Sequence, residues 1–312
     1  MSSTEKLTRV EIVTPVHNRR DITLQCLKSL ARVNKDGLDV HVVIVDDGST
    51  DGTSEAVVEN YPDVEIVRGD GNLWFTAGTN RGIEAALKHN PDYVLTINDD
   101  EVFDESFLQL MIETARRNPR SIVGALLLLW DTPHKIFQVS PRWELWAGGF
   151  RHWVQQTIWT VPKKPWEVEL IVGNCVLFPV AAIKECGLMN EKRFPHFGDA
   201  EYTPRMRRRG WRLLIEPRAR VFCQPNNLPP RVRNMPFKKL MRTLFVDLGN
   251  AHSLRRRFLA TWHGAPNRFE GAIAFPIFLM RWAFGKNIEG SYANQIKEKP
   301  LAEIYSDKIV QN

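Results

Sequence analysis

The sequence predicts an α/β fold, with a mainly parallel sheet flanked by helices and a helical C-terminal extension. Over the first 130 residues, short apolar runs alternate with amphipathic stretches of helical period. The apolar runs are nearly continuous, as in strands covered on both faces of a parallel sheet. Beyond a breaker cluster at 224–236, QPNNLPPRVRNMP, the chain turns basic and amphipathic and reads as helix.

The elements follow in order. TRVEIVTPV is a buried strand, and DITLQCLKSLARV is a helix with Ile22, Cys26, Leu27, Leu30 and Val33 at helical spacing. LDVHVVIVDDG is a second strand, TSEAVVENY a short helix and VEIVRG a third strand. AGTNRGIEAALKH reads as a helix opening on glycine, YVLTINDDE as a fourth strand, ESFLQLMIETARRN as a helix and SIVGALLLLW as a fifth strand. Residues 130–166 then hold six of the ten tryptophans: Trp130, Trp143, Trp146, Trp153, Trp159 and Trp166. WELWAGGFRHW and QQTIWTVP read as hairpin strands there. VELIVGNCVLF is a further apolar strand, PVAAIKECG and DAEYTPRMRRRG are helices, and WRLLIEP and ARVFCQ are two strands. FKKLMRTLFVDLGNAHSLRRRFLATW and 271–286 complete the helical extension.

Composition narrows the class. With 312 residues, 43% hydrophobic and 25% charged, the chain can bury a sizeable core, which excludes a disordered or disulfide-stapled protein. Cys26, Cys175, Cys186 and Cys223 lie far apart without a CxxC pair, so they read as buried thiols of a reducing compartment. The start MSSTEKLTRV lacks the pattern of a signal peptide, and no run reaches the roughly 18 apolar residues of a spanning helix. The expected location is cytoplasmic. Residues 231–286 hold eleven Lys/Arg against Asp247 and Glu270, a local +9 that exceeds the net +6 and leaves the remainder mildly acidic. That region lacks the aromatic interleaving of RNA- and single-strand-binding folds, so no nucleic-acid partner is expected.

Ligands of such sheets sit at the carboxyl ends of the strands, which here read PVHN, DDGS, GDGN and NDDE. Asp99 and Asp100 either hold a divalent cation against an anionic substrate or form a solvated turn that caps the next helix. Asp46 and Asp47 either face a nucleobase or ribose or serve the turn at Gly48. GDGNLWFTAGTNRG lacks both the GxxxxGKS and GxGxxG spacings, which disfavours a dinucleotide fold. Its residues 76–79 either admit a ligand closely or pack a strand–helix turn. In HFGDAEY, Asp199 is a general base or the N-cap of the following helix, and Glu201 suits that helix's first turn. The histidines show no HxxxH or HExxH spacing, and no GxSxG elbow stands out.

Taken in order, six segments resemble the family 2 glycosyltransferases over roughly residues 8–224: VTPVHNR (13–19), VDDGSTDGT (45–53), GNLWFTAGTNRG (71–82), TINDDE (96–101), IVGNCVLFP (171–179) and CGLMNEKRFPHFGDAEYTPRMRRRG (186–210). The resemblance implies a Rossmann-like sheet of the GT-A type, with a catalytic domain over 1–226 and a basic helical region over 227–312. Its nucleotide-binding half would span about 8–130 and its acceptor half about 131–226. Pro15 and Asp47 would line the base pocket, with Asn18 also on the donor. Gly78 and Asn80 would open the helix beside the donor, and Asp99 would hold ribose or support the site. Asp100 would ligate Mn²⁺ or Mg²⁺ on the diphosphate, and Asp199 would be the catalytic base. The chain departs from the family pattern at three places: Gly198 precedes that base where Glu is usual, Asn98 stands at the first acidic position of the metal motif, and Gln224 stands about where many relatives have His.

The implied activity is inverting transfer of a hexose or deoxyhexose from a UDP- or dTDP-type nucleotide sugar to a hydroxyl of a glycan or lipid-linked acceptor, assisted by a divalent metal, as in polysaccharide biosynthesis. Two rivals are a sugar nucleotidyltransferase, whose Gly-rich basic loop PVHNRR does not resemble, and a non-catalytic sugar- or lipid-binding member. Trp143, Trp146, His196 and Glu201 are the acceptor candidates, the tryptophans being either a sugar-stacking surface or an aromatic mini-core. The 231–286 segment, with Phe258, Ile273, Phe275, Ile277, Phe278, Leu279 and Trp282 as apolar anchors, is expected on an anionic membrane, at the inner face of the plasma membrane. Its competing uses are an oligomer contact, such as a homodimer, and packing on the catalytic domain.

Overall fold

The computed structural model describes residues 7–138, 140–151, 156–224 and 235–284. The chain opens with β1 (Thr8–Val16), α1 (Arg20–Ala31), β2 (Leu38–Asp46), α2 (Thr53–Asn60), β3 (Glu65–Arg68), α3 (Trp74–Leu87) and β4 (Tyr93–Thr96). There follow β5 (Glu101–Phe103), α4 (Phe107–Arg117), β6 (Ser121–Leu129), β7 (Ile136–Gln138), β8 (Arg142–Glu144), β9 (Gly149–Arg151), β10 (Trp166–Glu167) and β11 (Val176–Pro179). The last elements are α5 (Val180–Cys186), α6 (Asp199–Arg208), β12 (Arg212–Cys223), α7 (Phe237–Phe245), α8 (Leu254–Gly264) and α9 (Arg268–Ala283).

Eight strands run in the order β10-β12-β6-β11-β4-β1-β2-β3, with β5 pairing β12 and β7 pairing β6. β1 is parallel to both β2 and β4, β2 is parallel to β3, and β12 is parallel to β6. The sheet is therefore mixed and mostly parallel. Buried side chains form an apolar cluster on each face, one around Phe107, Leu95 and Val221, the other around Ile83, Phe178 and Tyr202. The chain leaves β1 toward β2 on one side and returns to β4 on the other, which sets the topological switch point over β1 and β4.

Four local expectations are corrected. The apolar run 168–178 forms a strand only from Val176, and that strand is antiparallel between β4 and β6, so the two expected halves share one sheet. WRLLIEP and ARVFCQ are one strand, β12, whose register shifts between Glu216 and Arg220. The fourth strand stops at Thr96, and Glu101–Phe103 pairs separately with the end of β12. Of the two expected hairpin segments, β8 and β9 form one, while 156–160 is turn with a single bridge from Lys135 to Thr157.

The C-terminal helices are packed on the body. Arg208 of α6 donates to the carbonyls of His263 and Ala265 at 2.8 and 3.1 Å, and the Trp143 indole N–H donates to Glu270 at 2.6 Å. Phe278 is buried against Gly148. Phe258, Trp262, Phe275 and Phe278 stack on one another between α8 and α9. Of the expected membrane anchors, Phe278 is thus spent on internal packing, while Phe258 and Trp282 stay exposed. No helix among the described residues is long and apolar enough to cross a membrane.

α3 lies close on β1 because its facing positions are glycines. A Cβ on Gly82 would stand 2.2 Å from Cγ1 of Val13, and one on Gly78 would stand 2.8 Å from Cβ of Pro15. Gly82→Ala should cost about 1–3 kcal/mol through overpacking. Urea unfolding should show a lower midpoint at unchanged slope.

Candidate active site

The carboxyl ends of β1, β2 and β4 meet at one rim. Asp46 at the end of β2 is buried and accepts from Ser49 N–H at 2.8 Å and from the Ser54 hydroxyl. Asp47 is also buried, and its carboxylate reaches across to the segment that opens α3. It accepts the N–H groups of Gly71, Leu73 and Trp74 at 2.8, 2.9 and 3.2 Å. Helix N-termini carry unsatisfied N–H groups and a positive dipole end, so Asp47 caps α3 from a distant part of the chain. This corrects the expected start of α3 at the small residues, since the helix begins at Trp74, four residues before Gly78. With three of its acceptor positions filled, Asp47 has limited capacity left for a nucleobase.

Asn80 and Gly78 consequently lie inside the helix. Gly78 packs on Pro15. The Asn80 amide donates to the Met189 carbonyl at 2.9 Å and to Glu191 at 3.0 Å, while its oxygen accepts from Met189 N–H at 3.0 Å. The structure gives both a packing role in place of the expected opening of the helix beside the donor. Asn18 is exposed at the rim with φ +51°, and its side-chain oxygen accepts Thr50 N–H at 2.7 Å, tying the loop after β1 to the loop after β2.

Asp99 and Asp100 share one guanidinium. Arg19 places Nη1 3.0 Å from Asp99 Oδ1 and Nη2 2.9 Å from Asp100 Oδ2. Asp99 is buried, and burial pushes its pKa up to about 6 against the opposing pull of Arg19. Asp100 is partly open. The next residue, Glu101, is fully buried, and burial, seconded by the charge of Asp100, pushes its carboxyl well up. Asn174 opposes that rise. Carboxylate oxygens are the hard donors that Mg²⁺ and Mn²⁺ prefer, so Asp100, with phosphate and water completing the shell, fits such an ion. Among the described residues there is no group of three or more His, Cys, Asp or Glu placed to hold one.

Asp199 opens α6, and its Oδ2 accepts Gly173 N–H at 3.0 Å. Burial raises its pKa, opposed by that N–H and by the charge of Arg256 from α8. Val176 pairs antiparallel with Thr96, the last residue of β4, so the short loop before it holds Asp199 through Gly173 and runs on beside the end of β4. Gly198 is explained by packing: a Cβ there would lie 2.7 Å from Cγ2 of Thr76 and 2.9 Å from Sδ of Met189. The glutamate usual in the resemblance has no room. Thr76 also donates to the Phe194 carbonyl at 2.5 Å and accepts Gly198 N–H at 3.1 Å, which fixes the approach to Asp199.

The acceptor candidates divide. Trp146 is 77% exposed and free to cover a sugar face, whereas Trp143 is clamped between Phe150 and Glu270. His196 stands edge-on to Trp74 at 4.5 Å between centroids, and burial lowers its pKa. Glu201, expected at the acceptor, is 5% exposed and paired with Arg205 at 2.7 Å, one helical turn on, so its charge is engaged within the helix. Trp159 stacks on His134, and Trp130 lines a separate open groove of about 740 Å³ beside α1. Trp153 lies outside the described residues. Sequence reasoning did not single out Arg19 or Arg256. Trp74 is 58% exposed at φ +56°, a conformation that bulky residues rarely adopt.

The sequence model of the family described as Glycosyl transferase family 2 matches residues 11–183. Two Mycobacterium tuberculosis proteins, from strains CDC 1551 / Oshkosh and ATCC 25618 / H37Rv, are each 25% identical over 266 residues, covering 77% of this chain and 83% of theirs. Each is named N-acetylglucosaminyl-diphospho-decaprenol L-rhamnosyltransferase. The crystal structure of GalNAc-T7 with UDP, GalNAc and Mn²⁺ superposes with a TM-score of 0.59 at 12% identity over 90% of this chain, which spans 57% of that one. S. aureus TarS 1-349 in complex with UDP-GlcNAc gives 0.53 at 15% identity, covering 89% of this chain and 73% of its own. These likenesses fix the fold as GT-A.

Asp47 offers a test of the rim that needs no substrate. Asp47→Asn keeps its size but loses the charge and one acceptor oxygen facing three N–H groups, so about 1–2 kcal/mol of stability should go. Hydrogen exchange should locate the loss at the first turn of α3. Exchange there at the wild-type rate would refute the cap.

Proposed function

The chain belongs to glycosyl transferase family 2, and from that premise we propose that it is an inverting transferase. In this reading it moves a hexose or deoxyhexose from a UDP- or dTDP-type donor to a hydroxyl of a lipid-linked glycan. The observation that carries the reading is the Gly173–Asn174 loop, which holds Asp199 and leads into the strand paired with the end of β4; it supports a base close to an anion-handling strand end. The acceptor class is supported by the Mycobacterium tuberculosis relatives, whose names specify a diphospho-decaprenol-linked sugar.

In the reaction, the nucleoside diphosphate lies over the switch point between β1 and β4, with Pro15, Asn18 and Asp47 on the base side and Asp99 and Asp100 on the ribose and diphosphate side. A divalent ion held by Asp100, when bound, supplies charge stabilisation to the leaving diphosphate. The acceptor hydroxyl approaches from the side of Trp146 and His196. Asp199 takes the proton from that hydroxyl as its oxygen attacks the anomeric carbon opposite the leaving group, which inverts the configuration. Burial suits Asp199 to this, because a carboxylate with a raised pKa is a stronger base.

Asp199→Asn should fold and bind donor yet lose roughly 10²-fold or more in transfer rate. The base works deprotonated, so the wild-type rate should fall as pH drops through a pKa above the ordinary 3.8, and this limb should vanish in the variant. Near-wild-type transfer, or a product that retains the donor's anomeric configuration, overturns the assignment.

The membrane role rests on α7. Phe237, Met241 and Phe245 recur every four residues on one stripe and are 77%, 40% and 52% exposed, flanked by Lys238, Lys239 and Arg242. An exposed apolar stripe with basic flanks matches the interface of an anionic bilayer, where a lipid-linked acceptor resides on the cytoplasmic side. Flotation with phosphatidylglycerol liposomes should recover the protein at low salt and less at high salt. Replacing the three apolar residues by Ser should abolish recovery, and no binding by the wild type at low salt rejects the role.

A further inference from the structure

Arg19 bridges the two strand ends that flank the switch point. It leaves the loop after β1 and pairs with both carboxylates after β4, at 3.0 and 2.9 Å. Its loop is anchored: Asn18 N–H donates to the Ser49 hydroxyl at 2.8 Å, Asn18 accepts from Thr50, and His17 Nδ1 lies 2.6 Å from the Asp47 carbonyl oxygen. The guanidinium is held over the rim while its side chain stays 37% exposed, so an incoming ligand can reach it.

We propose that Arg19 binds the donor's diphosphate and gates the cation site at Asp100. The proposal rests on the donor and cation roles argued above. A cation ligated by Asp100 must take oxygen density that Arg19 already engages, and two cations crowded on one carboxylate repel each other. A diphosphate resolves the conflict. Its oxygens match the planar guanidinium fork, so Arg19 turns from the carboxylates to the phosphate and Asp100 is released to the ion. The divalent ion therefore enters with the donor rather than ahead of it. The two-pronged geometry explains why arginine stands here, since an ammonium group is a point charge and cannot face Asp99 and Asp100 in parallel.

The test uses the full chain at pH 7.5 in two titrations, Mn²⁺ alone followed by electron paramagnetic resonance, and inorganic pyrophosphate without metal followed by calorimetry. Arg19→Gln should bind Mn²⁺ about tenfold more tightly than wild type and pyrophosphate about tenfold more weakly, each factor corresponding to about 1.4 kcal/mol. The opposite signs are what a merely structural role cannot produce. If both affinities fall together, or if Mn²⁺ affinity is unchanged while wild type binds the ion, the gate is wrong and the cation site stands. If neither protein binds Mn²⁺, the cation reading of Asp100 falls and the gate with it. Arg19→Lys keeps the charge and should shift both affinities in the same directions by less. It decides the matter if the glutamine variant does not fold.

Discussion

The three N–H groups that Asp47 accepts from Gly71, Leu73 and Trp74 fix where α3 begins, and the far side of the site is measured from that point. With its first turn held at the end of β2, α3 lies on β1 through Gly78 and Gly82. Thr76 and Asn80 then face the 189–198 segment and bind it through Phe194, Gly198 and Met189. That segment delivers Asp199. A carboxylate at one strand end thus positions a second carboxylate, more than 150 residues along the chain, through a single rigid helix.

The C-terminal helices extend the same logic. Their positive charge is partly spent inside the molecule: Arg256 lies over the Phe197 ring at 4.5 Å and Arg257 over Phe278 at 4.6 Å. Arg256 also pulls down the pKa of Asp199. A region that composition marks as a basic arm therefore contributes to the electrostatics of Asp199. Lys238, Lys239 and Arg242 on α7 stay exposed.

The parallel core and its acidic strand ends were legible in the sequence because apolar continuity and local turn residues encode them within a few positions. Direction was not, since VELIVGNCVLF is equally apolar for a parallel or an antiparallel strand, and only the neighbours of β11 decide. The start of α3 was hidden because its cap comes from a residue 24 to 27 positions upstream. Trp143 looked like an acceptor residue because its partner, Glu270, lies 127 residues away. Glu201 is different: Arg205 at the i+4 position was a visible signal that its charge is used within the helix. The candidate site residues were legible as types at strand ends, but which of them are already engaged depends on contacts no local pattern carries.

The engaged groups bear on how an acidic rim can receive an anion. Asp46, Asp47, Asp99, Asp100 and Glu101 crowd one end of the sheet, and an approaching diphosphate would meet five carboxylates if all were charged and free. Burial holds Glu101 toward its neutral form and raises Asp99 to about 6, Arg19 offsets the charge on Asp99 and Asp100, and backbone amides absorb that of Asp47. The field at the rim is thereby far weaker than the residue count implies. The same desolvation raises the pKa of Asp199, where the Gly173 N–H and the charge of Arg256 oppose it without cancelling it, so the rise is left as basicity. One physical effect, burial of carboxyl groups, thus works in two settings: at the rim it is met by Arg19 and backbone amides, and at the start of α6 it outweighs its opposing partners.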